Sequence, residues 1–429
     1  MDHVLARVHT HALLHLPDDD EPNPFVKFRR LFHSYHLARQ RGLSDGEFVQ
    51  IVRDLDAAVA AVDGGGFRAT PFARADVLSA KLGQPGGVWV KDETGNVSGS
   101  HKARHLMGIM IYLTVLDRVG LGDLPHPSLA IASCGNAALA AAVVARAAGR
   151  RLEVFIPHDA APAVVERLRL LGAHLHVCER QEGVPGDPCY LRFREAEAAG
   201  ALPFCCQGSA NGLTIEGGQT LGFEMLSGPS APALDRLVVQ VGGGALISSV
   251  IQAFEEGLAL GACARLPRVH AVQSRGAYPL KRAYDRVVER LLPALGLGGP
   301  MSEQERADAL ATRFHEAAVT RELTYAATHR HEFMWPWEHA PHSVAHGILD
   351  DETYDWLAVV RGMLASGGWP IVVDEATLED ACRLAHETTD IRADHTGTAG
   401  LAGLLALTRT RVIAPEEHVA VIFSGVERT

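Results

Sequence analysis

The sequence predicts an α/β protein with two parallel-sheet domains and an N-terminal helical extension. Three observations carry that reading. The chain has 429 residues, more than one hydrophobic core usually serves. Hydrophobic residues make up 47% of it and charged residues 21%, enough apolar surface to fold rather than stay disordered. From about residue 86, short β-rich runs alternate with Ala- and Leu-rich runs, the pattern of strands linked by helices packed on a sheet.

Residues 1–66 read as helical and close on Gly64-Gly65-Gly66. Val88–Val90 then reads as a strand and His101 to about Asp117 as a helix. Leu129–Ala132 is a strand and Ala137–Ala148 a helix. Leu152–Ile156, Pro162–Leu171 and His174–Val177 form a strand, a helix with proline at its first position, and a strand. Gly212–Leu226, Leu237–Val241, Leu246–Leu260 and Val269–Val272 continue the alternation. Residues 281–340, charged and helical from Arg282 to Arg290 and from Glu303 to His315, interrupt it as an insertion. Trp369–Val373, Thr377–His386, Ala399–Leu407 and Val419–Phe423 resume it.

The formal net charge of −11 leaves no basic surplus to displace counterions, so a nucleic-acid partner is not expected. Leu124–Ala145 and Leu237–Phe254 are uncharged and long enough to suggest membrane spans. The first contains Pro125, Pro127, Gly135 and Asn136, the second Gln240 and three glycines. Both therefore read as buried strand-turn-helix units, and no membrane partner is expected. The start, Met1-Asp2-His3 followed by Asp18-Asp19-Asp20-Glu21, lacks the pattern of a secretory leader. Seven cysteines, without a CxxC, indicate neither a disulfide framework nor a zinc ribbon, and a cytoplasmic location is the expectation.

Three turns and a strand end carry candidate chemistry. Lys91 to Arg104 follows a strand and opens a helix, with Ser100 two residues before Lys102. It reads either as a capped polar loop or as a lysine at the crevice where strand ends meet helix starts. Such a lysine can form a Schiff base with a cofactor aldehyde. Ser133-Cys134-Gly135-Asn136-Ala137 is a second strand-to-helix turn; its amides suit a carboxylate, though Gly-Asn is also an ordinary turn pair. Gly242-Gly243-Gly244-Ala245-Leu246 follows the apolar strand Leu237–Val241, and either cradles an anion or is simply flexible. Ile247 stands where a dinucleotide fingerprint needs a third glycine, which counts against a nicotinamide enzyme. Ser424-Gly425 ends the last strand, as a crevice-facing pair or a terminal turn.

In this order, Ser100-x-Lys102-x-Arg104, Ser133-x-Gly135-Asn136, a glycine-rich loop about 140 residues past the lysine, and a strand-end Ser-Gly resemble the fold-type II pyridoxal-phosphate enzymes. These include threonine synthase, cysteine synthase, serine/threonine dehydratase and the tryptophan synthase β chain. The resemblance covers about residues 86–275 and 340–425, and Asn211 to Thr220 is similar to a family helix start.

The resemblance implies pyridoxal 5'-phosphate as cofactor and Lys102 as the internal aldimine lysine, the base for the substrate α-proton. It implies Asn136 on the cofactor phenolic oxygen, Gly242, Gly243, Gly244, Ala245 and Leu246 around the phosphate, and Ser424 facing the pyridine nitrogen. Ser133, Cys134, Gly135, Asn136 and Ala137 would hold the substrate α-carboxylate. The domains implied are a helical extension (1–66), a large cofactor-binding domain (67–102 with 210–429) and a small mobile domain (103–209), in a homodimer. Two departures stand out. His101 replaces the Phe most members carry, similar to the tryptophan synthase β chain, whereas the Ser133–Asn136 turn is like the threonine and cysteine synthase branch.

His342-Ser343-Val344-Ala345-His346-Gly347 resembles the Ser/Thr-x-Ala-x-Gly stretch bordering the active site of threonine synthase-like members. His339, His342 and His346 raise a metal site, but no HExxH is present and 22 histidines make chance spacing common; none is expected. The function implied is β-elimination from a small amino acid through an aminoacrylate. The alternatives are a β- or γ-replacement synthase and, more remotely, a non-catalytic amino-acid-binding relative.

Overall fold

The computed structural model describes residues 14–179, 186–228, 232–338 and 341–428. Met1-Asp2-His3 and His339 lie outside them. Ten strands run along the described chain. The first five are β1 (Phe72–Arg74), β2 (Val88–Asp92), β3 (Leu129–Ala132), β4 (Leu152–Pro157) and β5 (His174–Cys178). The remainder are β6 (Leu202–Pro203), β7 (Arg236–Gln240), β8 (Arg268–Ser274), β9 (Ile371–Val373) and β10 (Val419–Phe423). They form two sheets in two compact units.

The first unit contains residues 71–94 and, from 228 onward, the rest of the chain. Its six-stranded sheet has the order β1-β2-β10-β7-β8-β9. All neighbours are parallel except the edge strand β1, which runs against β2. Every residue of β7 and of β10 is buried, as expected of central parallel strands covered on both faces. Val421 lies level with Val90 of β2 and with Val238 of β7. The strand ends after β7 and β10 therefore share one edge of the sheet. The expected insertion is helical, with helices Pro279–Ala294, Glu303–Thr312 and Ala317–Thr328.

The second unit takes in the described residues up to 70 together with those of 95–227. Its parallel sheet has the order β5-β4-β3-β6. The Asn136–Ala147 helix buries Ala138 through Ala145. Each fully buried Leu or Val on it contributes roughly 1.5–3 kcal/mol. The described part of the N-terminal extension, residues 14–66, belongs to this unit. Its Asp45–Asp63 helix opens with a capping box between Ser44 and Glu47 and ends at Gly64, φ +89°. It packs on the Lys102–Arg118 and Asn136–Ala147 helices.

These units differ from the boundaries expected from sequence. Residues 95–102 and 210–227 join 103–209, and so do residues 14–70. The reason is a close helix pairing between Lys102–Arg118 and Leu213–Leu226. A Cβ on Gly108 would lie 2.7 Å from Gly217 Cα, and one on Gly217 only 2.2 Å from Arg104 O. The two helices thus approach backbone to backbone, which only glycine permits.

Candidate active site

In the first unit, β7 ends in Gln240 and the chain turns through Gly242-Gly243-Gly244 into the Ala245–Ala259 helix. Gly244 is the N-cap residue, at φ +98°, a conformation natural only to glycine. The other two glycines are required by a neighbour. A Cβ on Gly242 would meet Asp350 Oδ2 at 2.2 Å and Ile348 Cα at 3.0 Å, and one on Gly243 would meet the Tyr354 ring at 2.9 Å. Thr353 Oγ1 donates to Gly242 O at 3.0 Å, and Asp355 N donates to Gly243 O at 3.0 Å. In a trans peptide the N–H points opposite to the C=O. The Gly243 and Gly244 amides therefore point away from Thr353 and Asp355, followed by the first amides of a 15-residue helix.

Ser424 follows β10 and is 3% exposed. Its carbonyl oxygen would lie 2.2 Å from a Cβ on Gly397, so the His395–Arg409 helix comes in against the strand end. Gln240 Nε2 donates to Gly397 O at 3.2 Å and to Ile422 O at 3.0 Å, locking the ends of β7 and β10 together. Sequence reasoning misses Gln240; its one signal is an amide within the apolar run Leu237–Val241. The glycine loop, Gln240 and Ser424 thus meet at the C-terminal edge of one sheet, the usual ligand side of parallel α/β folds.

The His342–Gly347 stretch also belongs here. Val344 N donates to Glu375 Oε2 at 2.7 Å and Gly347 N to Thr396 Oγ1 at 2.9 Å. It leads directly into Ile348–Asp355, the segment against the glycine loop. His342 and His346 are exposed. Among the described residues no group of three or more His, Cys, Asp or Glu is placed to hold a metal.

In the second unit, Lys102 is the first residue of its helix, with His101 as the N-cap residue. Ser100, expected as a possible cap, lies one residue earlier, and its Oγ accepts from Lys102 N at 3.4 Å. The approach is constrained. Ser98 has φ +58°, uncommon for a residue with a side chain, and its N–H donates to Asp63 Oδ2 at 2.7 Å. The Ser133–Ala137 turn follows β3. Ser133 N donates to Phe155 O at 3.2 Å, Gly135 N donates to Ser133 Oγ at 3.4 Å, and Asn136 opens a 12-residue helix. Cys134 is exposed and the other four are half-buried. The helices begun by Lys102 and Asn136 pack together.

His101 and His105 sit buried in the first turn of the Lys102 helix, ring centroids 5.6 Å apart and edge to face. His105 Nδ1 bonds to Thr214 O at 2.7 Å. Burial, and then the charge of Lys102, push the His105 imidazole down to about 3. The same causes hold His101 well below the usual histidine range. Lys102 thus has two neutral rings for neighbours.

The residues fit pyridoxal phosphate. A glycine loop at a helix N-terminus suits a phosphate, and a buried hydroxyl on the same sheet edge suits a ring nitrogen. A lysine and a half-exposed amide turn open two packed helices of the other unit. Residues 64–331 match the pyridoxal-phosphate dependent enzyme family, and the chain belongs to it: a fold-type II enzyme with pyridoxal phosphate as cofactor.

Threonine synthase of Methanocaldococcus jannaschii is 24% identical over 286 residues, 64% of this chain and 66% of that protein. The chain thus spans just under two thirds of that relative's length. Maize serine racemase is similar in fold, with a TM-score of 0.58 at 20% identity, covering 89% of this chain and 93% of that one. So is diaminopropionate ammonia lyase from Escherichia coli, with a TM-score of 0.61 at 15% identity, covering 95% and 91%. Among the described residues, no helix is long and apolar enough to cross a membrane.

Proposed function

We propose that the enzyme is a lyase that removes a β-substituent from a small amino acid, with Lys102 as its covalent attachment point and proton carrier. The observation that supports this best is Ser424, a buried neutral hydroxyl at the glycine-loop edge of the sheet. Bound pyridoxal phosphate supplies an electron sink for the bonds at the substrate Cα. Residues of the chain decide which of those bonds breaks and where its proton goes. Ser424 Oγ offers the ring nitrogen a neutral partner that cannot balance a pyridinium as a carboxylate would. That restrains charge delocalisation into the ring and suits prompt departure of the β-group over transamination.

Lys102 Nζ takes the proton from Cα. Backbone amides of Ser133–Ala137 hold the substrate carboxylate, and Gly242–Leu246 hold the phosphate. Water hydrolyses the released enamine, so the products are a keto acid, ammonia and the expelled group. A second reading, replacement of the β- or γ-substituent to give a new amino acid, is supported by the relative named threonine synthase.

Borohydride reduction and peptide mass mapping should place the cofactor on Lys102, and a label on another lysine overturns the reading. Incubation with serine, threonine, O-acetylserine and O-phosphohomoserine, each with and without a second nucleophile, separates the two reactions. Keto acid with ammonia supports the lyase, and a new amino acid supports the synthase.

A further inference from the structure

The second unit holds a cavity of about 250 Å³ along the Lys102–Arg118 helix, toward the end remote from Lys102. Much of its wall is aliphatic, from Ile109, Leu113, Leu116, Leu121, Leu202 and Leu213, with Tyr112 and Asn211 between them. Arg150, His126 and two carboxylates, Asp117 and Asp123, border it as well. The Arg150 side chain is 7% exposed and its Nε is buried without a hydrogen-bond partner. Its ion pair, with Asp117 Oδ2 at 3.7 Å, is too long for a hydrogen bond. A guanidinium so enclosed and so poorly matched is costly in a closed molecule.

The loop after the helix brings the opposite charge into place. Leu121 N and Gly122 N both donate back to Leu116 O, at 2.9 and 3.2 Å. A Cβ on Gly122 would lie 2.0 Å from Asp117 Oδ1, so the loop folds tightly over the carboxylate. His126 Nδ1 stands 3.7 Å from the same carboxylate. Asp117 lies in the last turn of its helix, where the carbonyl ends already favour a cation.

We propose that this cavity binds a free α-amino acid with a branched aliphatic side chain. Arg150 takes the α-carboxylate, for which its planar fork is shaped. Asp117 takes the ammonium, and the leucine wall takes the side chain. The spacing of Arg150 and Asp117 suits two opposite charges carried on one carbon. A plain carboxylate would face Asp117 unbalanced, and a plain amine would face Arg150. The volume lies below the range of drug-sized pockets, about 300–1,000 Å³, which fits a ligand of this size and not a nucleotide. The site is distinct from Lys102 and the Ser133–Ala137 turn and does not depend on the reaction proposed for them.

The test is calorimetric titration of the borohydride-reduced holoenzyme, in which exchange at the cofactor no longer contributes heat. L-Leucine, L-isoleucine and L-valine are the probes, with 4-methylpentanoate and isoamylamine as analogues lacking one charge. At least one amino acid is expected to bind one per chain, and both analogues at least tenfold more weakly. Arg150→Gln and Leu121→Asp should each weaken amino-acid binding at least tenfold with cofactor absorbance unchanged. Leu121 is 45% exposed, so its replacement decides the matter if Arg150→Gln does not fold. The proposal is overturned by absence of binding at about 10 mM, a concentration at which a millimolar dissociation constant would leave the site about nine-tenths full. Equal binding of either analogue, or unchanged affinity in Leu121→Asp, overturns it too.

Discussion

Arg104 and Glu224 form a two-pronged ion pair inside the second unit, Nη1 to Oε1 at 2.6 Å and Nη2 to Oε2 at 3.0 Å. The arginine side chain is fully buried and the glutamate 6% exposed. Arg104 also donates to Thr220 Oγ1 at 3.0 Å and to Thr70 Oγ1 at 3.1 Å, and Thr70 N donates to Glu224 Oε2 at 3.1 Å. One network thus joins the chain at residue 70 and the helices of Lys102 and Leu213, two residues past the candidate catalytic lysine.

Removing one partner of such a pair leaves a buried charge and costs about 3–5 kcal/mol. Arg104→Met should lose that much in urea unfolding of the holoenzyme. The double variant Arg104→Met with Glu224→Met should recover most of it, because no lone charge remains. A loss under about 1 kcal/mol, the range of exposed pairs, would show that water reaches the pair.

The buried histidines set an acid limit. Burial lowers both His105 and His270 to about 3, whereas in the unfolded chain each titrates near 6.5. Above pH 6.5 both states are neutral and nothing is lost. As pH falls below 6.5 only the unfolded chain takes up protons, so stability declines until the folded-state values near 3 are reached. Each histidine contributes about 1.4 kcal/mol per pH unit in that window. His270→Gln should flatten the stability profile between about pH 4 and 6 by that slope, and an unchanged slope would mean His270 is charged in the fold.

Gly242→Ala places a methyl against Asp350 Oδ2 and Ile348 Cα. Overpacking of this kind costs roughly 1–3 kcal/mol. The ratio of cofactor absorbance to protein, measured at limiting cofactor, should drop accordingly. Adding Asp350→Ala should restore it in part, because Ile348 Cα stays at 3.0 Å. Full cofactor retention in the single variant counts against this loop as the phosphate cradle.

Asn136→Ala should keep the cofactor, since the glycine loop and Lys102 are untouched. Its substrate-induced spectral change should fall roughly ten- to a thousandfold, the loss of one or two charge-assisted hydrogen bonds at ~1.5–3 kcal/mol each. Unchanged turnover per bound cofactor would remove the Asn136 side chain from the active site.

Ser424→Ala should lower activity only by the worth of a neutral hydrogen bond, about 0.5–1.5 kcal/mol. Ser424→Asp should shift the cofactor spectrum and raise the transamination fraction. If neither responds, Ser424 does not face the ring.

The elements that sequence reveals are those whose cause is local. Val419–Phe423 is an unbroken apolar run and forms a strand over those residues. Gly242-Gly243-Gly244 announces a turn in three letters. What sequence does not show depends on distant partners. Gly108 opposite Gly217 decides which unit receives Lys102, and nothing in either helix's own sequence shows which glycine it meets. Ile348–Asp355 meets the glycine loop across about a hundred positions of chain. The Pro188–Ala198 helix escapes sequence reading because its polar residues leave only Cys189 and Phe193 buried and no stripe to read. The edge strand Phe72–Arg74 is three residues long, too short for alternation to register.

The place of β10 has a consequence for biosynthesis. It is the last of the ten described strands in chain order, yet it lies between β2 and β7, and Glu93 N donates to Phe423 O at 2.8 Å. Until Phe423 leaves the ribosome, β2 and β7 have no common neighbour and two rows of amides stay open. The sheet carrying the glycine loop can therefore close only after Phe423 has been made. All four strands of the other sheet have emerged by residue 203. Pulse proteolysis of stalled nascent chains should find β3–β6 protected long before β7, and β7 protected only once Val419–Phe423 is clear of the exit tunnel.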